Sequence, residues 1–289
     1  MILGIILLGI ALALDYGFTK VFKTGKTVKV QWLDKVNNIH LDYAIIGSSR
    51  AWWNIDANRI NSEKKLKGLN LSNNHFGLNE ILLRLKRFYD NENSLDKLLL
   101  QIDYKSIFSE SGEFSSTVYN YLPFIDDSLT YNHLSERNSE WKVYKYVPFW
   151  RYSEYNFQWG IEELLITKMN LRQTIFDKAG NFFTDNYYHG ASSFEIDSTK
   201  LILNTDLIEI IDFCEKNEIN LVCFTAPYYQ LILHQKIETR FNTIVDSLQL
   251  NHSNYGLIYN SDSTYFNDNT HLSLKGGDRF TDQLITDHF

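Results

Sequence analysis

Two short segments far apart in the chain carry residue types that suit acyl-transfer chemistry. Near the start lies Ile45-Ile46-Gly47-Ser48-Ser49-Arg50, an apolar run that stops at a glycine and two serines. Near the end lies Asp268-Asn269-Thr270-His271-Leu272, which sets a carboxylate and an imidazole three residues apart. An alcohol becomes a useful nucleophile when an imidazole takes its proton and a carboxylate fixes the imidazole's tautomer. The first segment reads as a tight turn from a buried strand into a helix, with glycine supplying the backbone freedom. Such a turn exposes a hydroxyl beside the N–H groups of a helix start, where a developing oxyanion is stabilised. Either serine can fill that role at this level, and either can equally be a helix N-cap. Asp268 is spaced to accept from Nδ1 of His271 and leave Nε2 toward the serine, or equally to be a turn residue before a helix-start histidine. The chemistry requires the two segments to meet in space.

The elements around them read as α/β. Tyr43–Ile46, Leu98–Ile102 and Leu221–Thr225 are unbroken apolar runs, as expected of strands covered on both faces. Leu69–Leu71 and Gly256–Tyr259 are further strand candidates. Between them lie helical patterns at Leu78–Tyr89, Leu201–Cys214, Tyr229–Leu248 and Leu274–Ile285. Leu78, Ile81, Leu82, Leu85 and Phe88 recur on one face of the first. Strands alternating with helices predict βαβ units and a flavodoxin-like, three-layer parallel sheet. The stretch at about 106–198 breaks this rhythm. It is rich in Tyr, Phe, Trp, Ser and Asn and holds one amphipathic pattern, Trp159–Met169. It reads as an insertion at the carboxyl end of a strand, either a cap over a site or packing over a sheet edge. The expected organisation is an N-terminal segment over 1–30 and one α/β domain over 40–289.

Composition narrows the function classes. The 289 residues are 44% hydrophobic and 22% charged, with a net charge of -7 and no basic run longer than two residues. Nucleic-acid binding needs clustered Lys and Arg, so that class is disfavoured. No Gly-rich phosphate loop is present, which weighs against a nucleotide-binding domain. Cys214 and Cys223 fall at apolar-facing places and read as buried free thiols, and no Cys/His cluster has metal-ligand spacing. No metal or organic cofactor is expected. His189 reads as a loop residue.

Ile2 to Leu14 is unbroken apolar sequence, with Asp15 the first charge. Thirteen such residues lack the polar face of a surface helix and read as a signal or short membrane anchor. A full span wants about 20 apolar residues. Lys20, Lys23, Lys26 and Lys29 follow, and the positive-inside rule would keep that side cytoplasmic. The expectation is a cell-envelope protein, anchored or exported, with a cytoplasmic location as the alternative.

The Gly-x-Ser turn after the first strand and the late Asp-x-x-His segment together resemble the SGNH/GDSL hydrolase superfamily. The form Ile-Gly-Ser-Ser-Arg after an apolar N-terminus resembles its membrane-linked branch, which acts on acyl esters of bacterial surface polysaccharides. The resemblance covers about Asp42–Ile107 and Ile219–Phe289. It implies Ser49 as nucleophile, His271 as base and Asp268 as the acid orienting it. It also implies a second block Asn-Leu-Gly-x-x-Gly. Here that block is Asn70-Leu71-Ser72-Asn73-Asn74-His75, with serine and histidine at the glycine places. After the third strand, where an asparagine is usual, this chain has Gln101-Ile102-Asp103. Asp103 must then point away from an oxyanion or orient another group. The N–H groups of Ser49 and His75, with an amide from Asn73 or Asn74, are the candidate oxyanion donors. Arg50 reads as a hold on an anionic substrate group or as half of an ion pair. The resemblance implies hydrolysis or transfer of a small O-acyl ester, acetyl above all, on a carbohydrate. A degenerate member that binds polysaccharide through its aromatic insertion is the alternative, favoured by the altered second block.

Overall fold

The computed structural model describes residues 2–25, 28–155, 176–182 and 201–289, with Leu165 and Met169 besides. The helical pattern at Trp159–Met169 lies outside them except for its residues Leu165 and Met169, and His189 lies outside them entirely. In chain order the described helices are α1 (Ile2–Thr24), α2 (Lys29–Leu33), α3 (Ser49–Trp52), α4 (Ala57–Lys64) and α5 (Leu78–Asp90). There follow α6 (Ser128–Arg137), α7 (Glu140–Tyr146), α8 (Trp150–Tyr155), α9 (Asp206–Lys216), α10 (Gln235–Ser247) and α11 (Leu274–His288). The strands are β1 (His40–Ile46), β2 (Gly68–Asn70), β3 (Ser94–Gln101), β4 (Asn220–Thr225) and β5 (His252–Asn254).

All five strands pair in parallel in the order β2-β1-β3-β4-β5, within a unit comprising Ile39–Arg84, Asn93–Ser115 and Phe176–Phe289. This is the flavodoxin-like order, and its direction reverses between β1 and β3. The register sets Ile46 beside Leu100 and Gln101 beside Phe224, so β1, β3 and β4 end at one rim. Tyr43 to Ile46 and Leu98 to Leu100 are fully buried, because helices cover both sides. Tyr43, Ile45, Leu99 and Phe224 form one core with Ile55, Ala57 and Ile60 around α4 and Phe280 and Leu284 of α11. Each such side chain adds roughly 1.5–3 kcal/mol by leaving water. Cys214 and Cys223 are free and buried, and burial pushes the Cys214 thiol up to about 12.

Several boundaries differ from the sequence expectation for identifiable reasons. Gly256–Tyr259 forms turns, and the fifth strand is the polar triplet His252–Asn254. An edge strand needs only backbone pairing, so no apolar run marks it. Helix α9 starts at Asp206, because the Asn204 N–H donates to Ile107 O and its Oδ1 accepts the Asp206 N–H. Helix α10 starts at Gln235, because the N–H groups of Tyr228, Tyr229 and Gln230 go to the carbonyls of Gly256, Asn269 and Asn260. In α5 the apolar stripe is buried as expected, yet Asn79, Glu80 and Arg84 are buried too. Asn79 donates to Gly112 O, Glu80 accepts the Ser115 N–H, and Arg84 donates to Leu71 O.

The second unit comprises Met1–Asn38, Leu85–Glu92 and Ser116–Ile175, so α1 shares a compact unit with part of the insertion. Phe18 and Phe22 of α1 pack on Tyr152, which also hydrogen-bonds Thr19 at 2.7 Å. The Arg151 guanidinium is buried against Asp15. Arg87 joins Asp34 and Asp127 in the same way. At 23 residues, with a mean hydropathy of 2.0 over its most apolar 18, α1 is long and apolar enough to cross a membrane or to be a signal sequence.

Candidate active site

The serine turn begins where β1 ends. Ser48 is extended and caps α3: its Oγ accepts the Arg50 N–H at 3.4 Å and donates to Gln101 Oε1 at 2.9 Å. Its own N–H donates to the same oxygen at 2.8 Å. With Ser48 so occupied, Ser49 is the serine whose hydroxyl faces outward, on the first residue of the helix. Gly47 serves a different purpose from the one its sequence suggests. Its φ is not left-handed, but a Cβ there would lie 2.6 Å from both Cβ and Oε1 of Gln101. Glycine is needed so that Gln101 can reach the turn.

The histidine arrives on a loop closed by an antiparallel bridge between Phe266 and Leu272. Within it Asp268 Oδ1 accepts the N–H groups of Thr270 at 2.7 Å and His271 at 2.8 Å, together with the Thr270 hydroxyl at 3.0 Å. That leaves Oδ2 for His271 Nδ1, at 2.7 Å. On the other side of the ring, Nε2 lies 2.7 Å from Ser49 Oγ. An ionised carboxylate only accepts, so Nδ1 carries the proton and Nε2 accepts from the serine. Burial works against the Asp268 charge, but the His271 ring and the two N–H groups outweigh it and hold the carboxyl well below its usual range. The structure thus brings Ser49, His271 and Asp268 into one chain of hydrogen bonds. The His271 side chain is 18% exposed and that of Asp268 50%, so the pair sits at the rim, open to solvent on the acid's side.

Trp53 covers the imidazole, with ring centres 4.5 Å apart and planes at 30°. It is held in turn by Asn74, whose Oδ1 accepts its Nε1–H at 2.9 Å, and by Phe182, 5.3 Å away. Trp52 donates to Gly180 O at 2.8 Å. Residues 176–182 of the insertion therefore lie against the serine helix. Nothing in the sequence pattern assigned Trp53 or Asn74 this task.

Of the two readings for Arg50, the structure shows the ion pair, and in a buried setting rather than at the surface. Arg50 pairs with Asp103, donates to the carbonyls of Ala226 and Pro227, and sends Nε–H to Thr270 O at 3.2 Å. Its plane lies 3.4 Å over the Tyr228 ring. One guanidinium so connects the ends of β3 and β4, the serine helix and the histidine loop. Asn54 adds a second tie, its Oδ1 accepting the Leu272 N–H at 3.0 Å. Gly276 closes the arrangement, because a Cβ there would stand 2.1 Å from Tyr265 O.

Asp103 is turned to Arg50 and accepts from Gln101 Nε2, which removes its charge from any oxyanion position. Of the second block, Asn73 donates its backbone N–H to Gly47 O at 3.2 Å, which fixes it beside the serine turn. Its side chain is nearly buried, and among the described residues it makes no hydrogen bond. Asn74 spends its Oδ1 on Trp53 and keeps its Nδ2 for donation. His75 is exposed and takes φ 55°, the left-handed region glycine favours, so the turn persists without glycine. Of the groups expected to face an oxyanion, the Ser49 N–H lies at the helix start and the Asn73 amide lies beside the serine turn.

At the amino ends of β1 and β3, strand pairing brings His40, Asp42 and Asp96 together, with ligand atoms within 4.8 Å of one another. Spacing along the chain gave no sign of this group. His40 is engaged with Asp96 at 3.3 Å, and Asp42 accepts the Lys67 N–H at 2.6 Å. Comparison with models of known protein families and with curated proteins returns no match for this chain.

Proposed function

We propose that this chain is a serine-dependent enzyme of SGNH type that hydrolyses or transfers a small O-acyl group, acetyl in the first instance, on a carbohydrate. The observation that carries this reading is the unbroken series Asp268–His271–Ser49, with both links at 2.7 Å. Ser49 Oγ attacks the ester carbonyl while His271 Nε2 takes its proton. The tetrahedral oxyanion is held by the Ser49 N–H and the Asn73 amide. Collapse expels the sugar alkoxide, which takes the proton from His271 and leaves an acyl-Ser49 ester. Water then regenerates the serine, or a second sugar hydroxyl accepts the acyl group, with His271 again moving the proton. The position of Ser49 at the β1/β3 switch point agrees with this, since ligands of such sheets bind at that crevice. The carbohydrate and the cell-envelope setting rest on the sequence resemblance and on the apolar helix α1, here read as a membrane anchor.

A second reading, a polysaccharide-binding protein without turnover, is favoured by the serine and histidine at the two glycine places of the second block. Fluorophosphonate labelling separates the two. Covalent labelling that vanishes in both S49A and H271A, with parallel loss of p-nitrophenyl acetate hydrolysis, supports the enzyme. Labelling of S49A at the wild-type level overturns it. Glycan binding by a chain that neither labels nor turns over any acyl ester supports the second reading.

A further inference from the structure

The first thirteen described residues of α1 and the next ten live in different surroundings. Ile2 to Leu14 are exposed almost all round, the large apolar ones between 41% and 73%. From Asp15 onward one side of the helix is docked: Asp15 on Arg151 and the Phe149 N–H, Phe18 on Phe149 and Tyr152, Phe22 on Tyr152. The rod therefore leaves its unit at the level of Phe149–Arg151. Around that exit the surface is not polar. Tyr16 is 69% exposed on α1 itself, Tyr146 68% and Trp150 48%. Val143 and Val147 are also exposed, and the Val147 N–H donates to Val143 O, so they stack one turn apart. The opposite face of α7 is buried through Trp141 and Tyr144. A helix with its inner face in a core should turn charged side chains outward. This one turns out Val143, Tyr146 and Val147 among its charged residues Glu140, Lys142 and Lys145.

We propose that this exit surface, Tyr16 with Val143, Tyr146, Val147 and Trp150, seats the unit on the headgroup layer of the phospholipid bilayer that α1 enters. The inference rests on reading α1 as membrane-inserted and adds a second, peripheral contact. Three observations name lipid as the occupant. The surface is continuous with an apolar rod that has no polar side to offer water. Tyrosine and tryptophan, with an apolar body and a polar tip, are the side chains that collect at membrane interfaces. Asp15, at the exit, is neutralised by Arg151, while Lys142 remains to meet anionic headgroups. The stacked rings of Phe18, Phe22, Phe149 and Tyr152 fix the rod to this surface, so insertion of one sets the depth of the other.

The test places a single environment-sensitive fluorophore at an introduced cysteine in the full chain, reconstituted in phosphatidylcholine vesicles containing some phosphatidylglycerol. Cys214 and Cys223 are buried and stay in place. The positions are L8C in the rod, V147C at the exit, and N37C as a control. Asn37 lies at the other end of α1, where Lys35 donates to the carbonyls of Thr24 and Gly25. Nitroxides at the headgroup and deep in the acyl chain serve as quenchers. The expected result is deep quenching at 8 and headgroup quenching at 147 several-fold above that at 37. Quenching at 8 with 147 no different from 37 overturns the proposal and leaves the anchor reading intact. No quenching at either 8 or 147 overturns both. A blue-shifted, unquenched signal at 147 assigns the surface to a second copy of the chain instead.

Discussion

The Nε–H of Arg50 donates to the backbone carbonyl of Thr270 at 3.2 Å, across 220 residues of sequence. Arg50 follows Ser49 directly and Thr270 precedes His271 directly. The bond therefore joins the chain neighbours of Ser49 and His271, whose Oγ and Nε2 stand 2.7 Å apart.

Removing that tie should cost rate more than affinity. R50M is expected to lower kcat by about 10–100-fold with little change in KM, because a displaced base loses alignment. Stability should fall by about 3–5 kcal/mol, since Asp103 is left buried without its partner. Adding D103L should restore part of the stability in urea denaturation and none of the rate. Recovery of both would make Arg50 a packing residue only.

Asp268 holds both the ring and its own loop. D268N keeps the shape but offers an amide where a carboxylate fixed the tautomer, and a drop of about 10⁴ in acylation rate is expected. D268A should lose at least as much and also loosen the turn made by the N–H groups of Thr270 and His271. Stopped-flow acylation with p-nitrophenyl acetate reads both. An unchanged rate in D268N removes Asp268 from the relay.

The two asparagines of the second block should separate cleanly. N73A is expected to reduce kcat by about 10²–10³, the usual effect of losing one oxyanion donor. N74A removes the acceptor that holds Trp53 and should cost less than N73A. Equal effects in steady-state assays would contradict the roles drawn from their hydrogen bonds.

A pH effect on stability follows from His252, whose Nε2 meets Thr225 Oγ1 at 3.0 Å. Burial lowers its pKa from 6.5 to about 4. Between those values the unfolded chain binds a proton that the folded chain does not. Its contribution is intact above about pH 6.5 and is lost as pH falls toward 4. Thermal melts across that window should show a steeper decline for the wild type than for H252N.

The parts of the site legible in sequence are those defined by residue type and local spacing. The Asp-x-x-His interval shows on its face that Asp268 can reach His271. That Ser49 rather than Ser48 faces the imidazole came from resemblance, and its physical reason, capture of Ser48 by Gln101, lies across the sheet. The sequence leaves Arg50 open between a substrate contact and an ion pair, because its neighbours in the chain do not say which way it points. Its direction is set by Asp103 and by the strand-end carbonyls, which reach it only through the strand order. The same limit hid Trp53, Asn54 and the edge strand His252–Asn254, whose roles come from pairing and stacking with remote backbone. The buried runs of β1, β3 and β4 were legible because covering both faces leaves a continuous apolar signature.

The hydroxyl and the imidazole are separated by nearly the whole polypeptide, and the loop bearing the imidazole is wedged by Gly276 at the start of the last helix. If Ser49 and His271 act together as proposed, the serine leaves the ribosome 222 residues ahead of its base. A nascent chain short of the final helix should then be inert toward esters, and reactivity should arise only once that helix has docked.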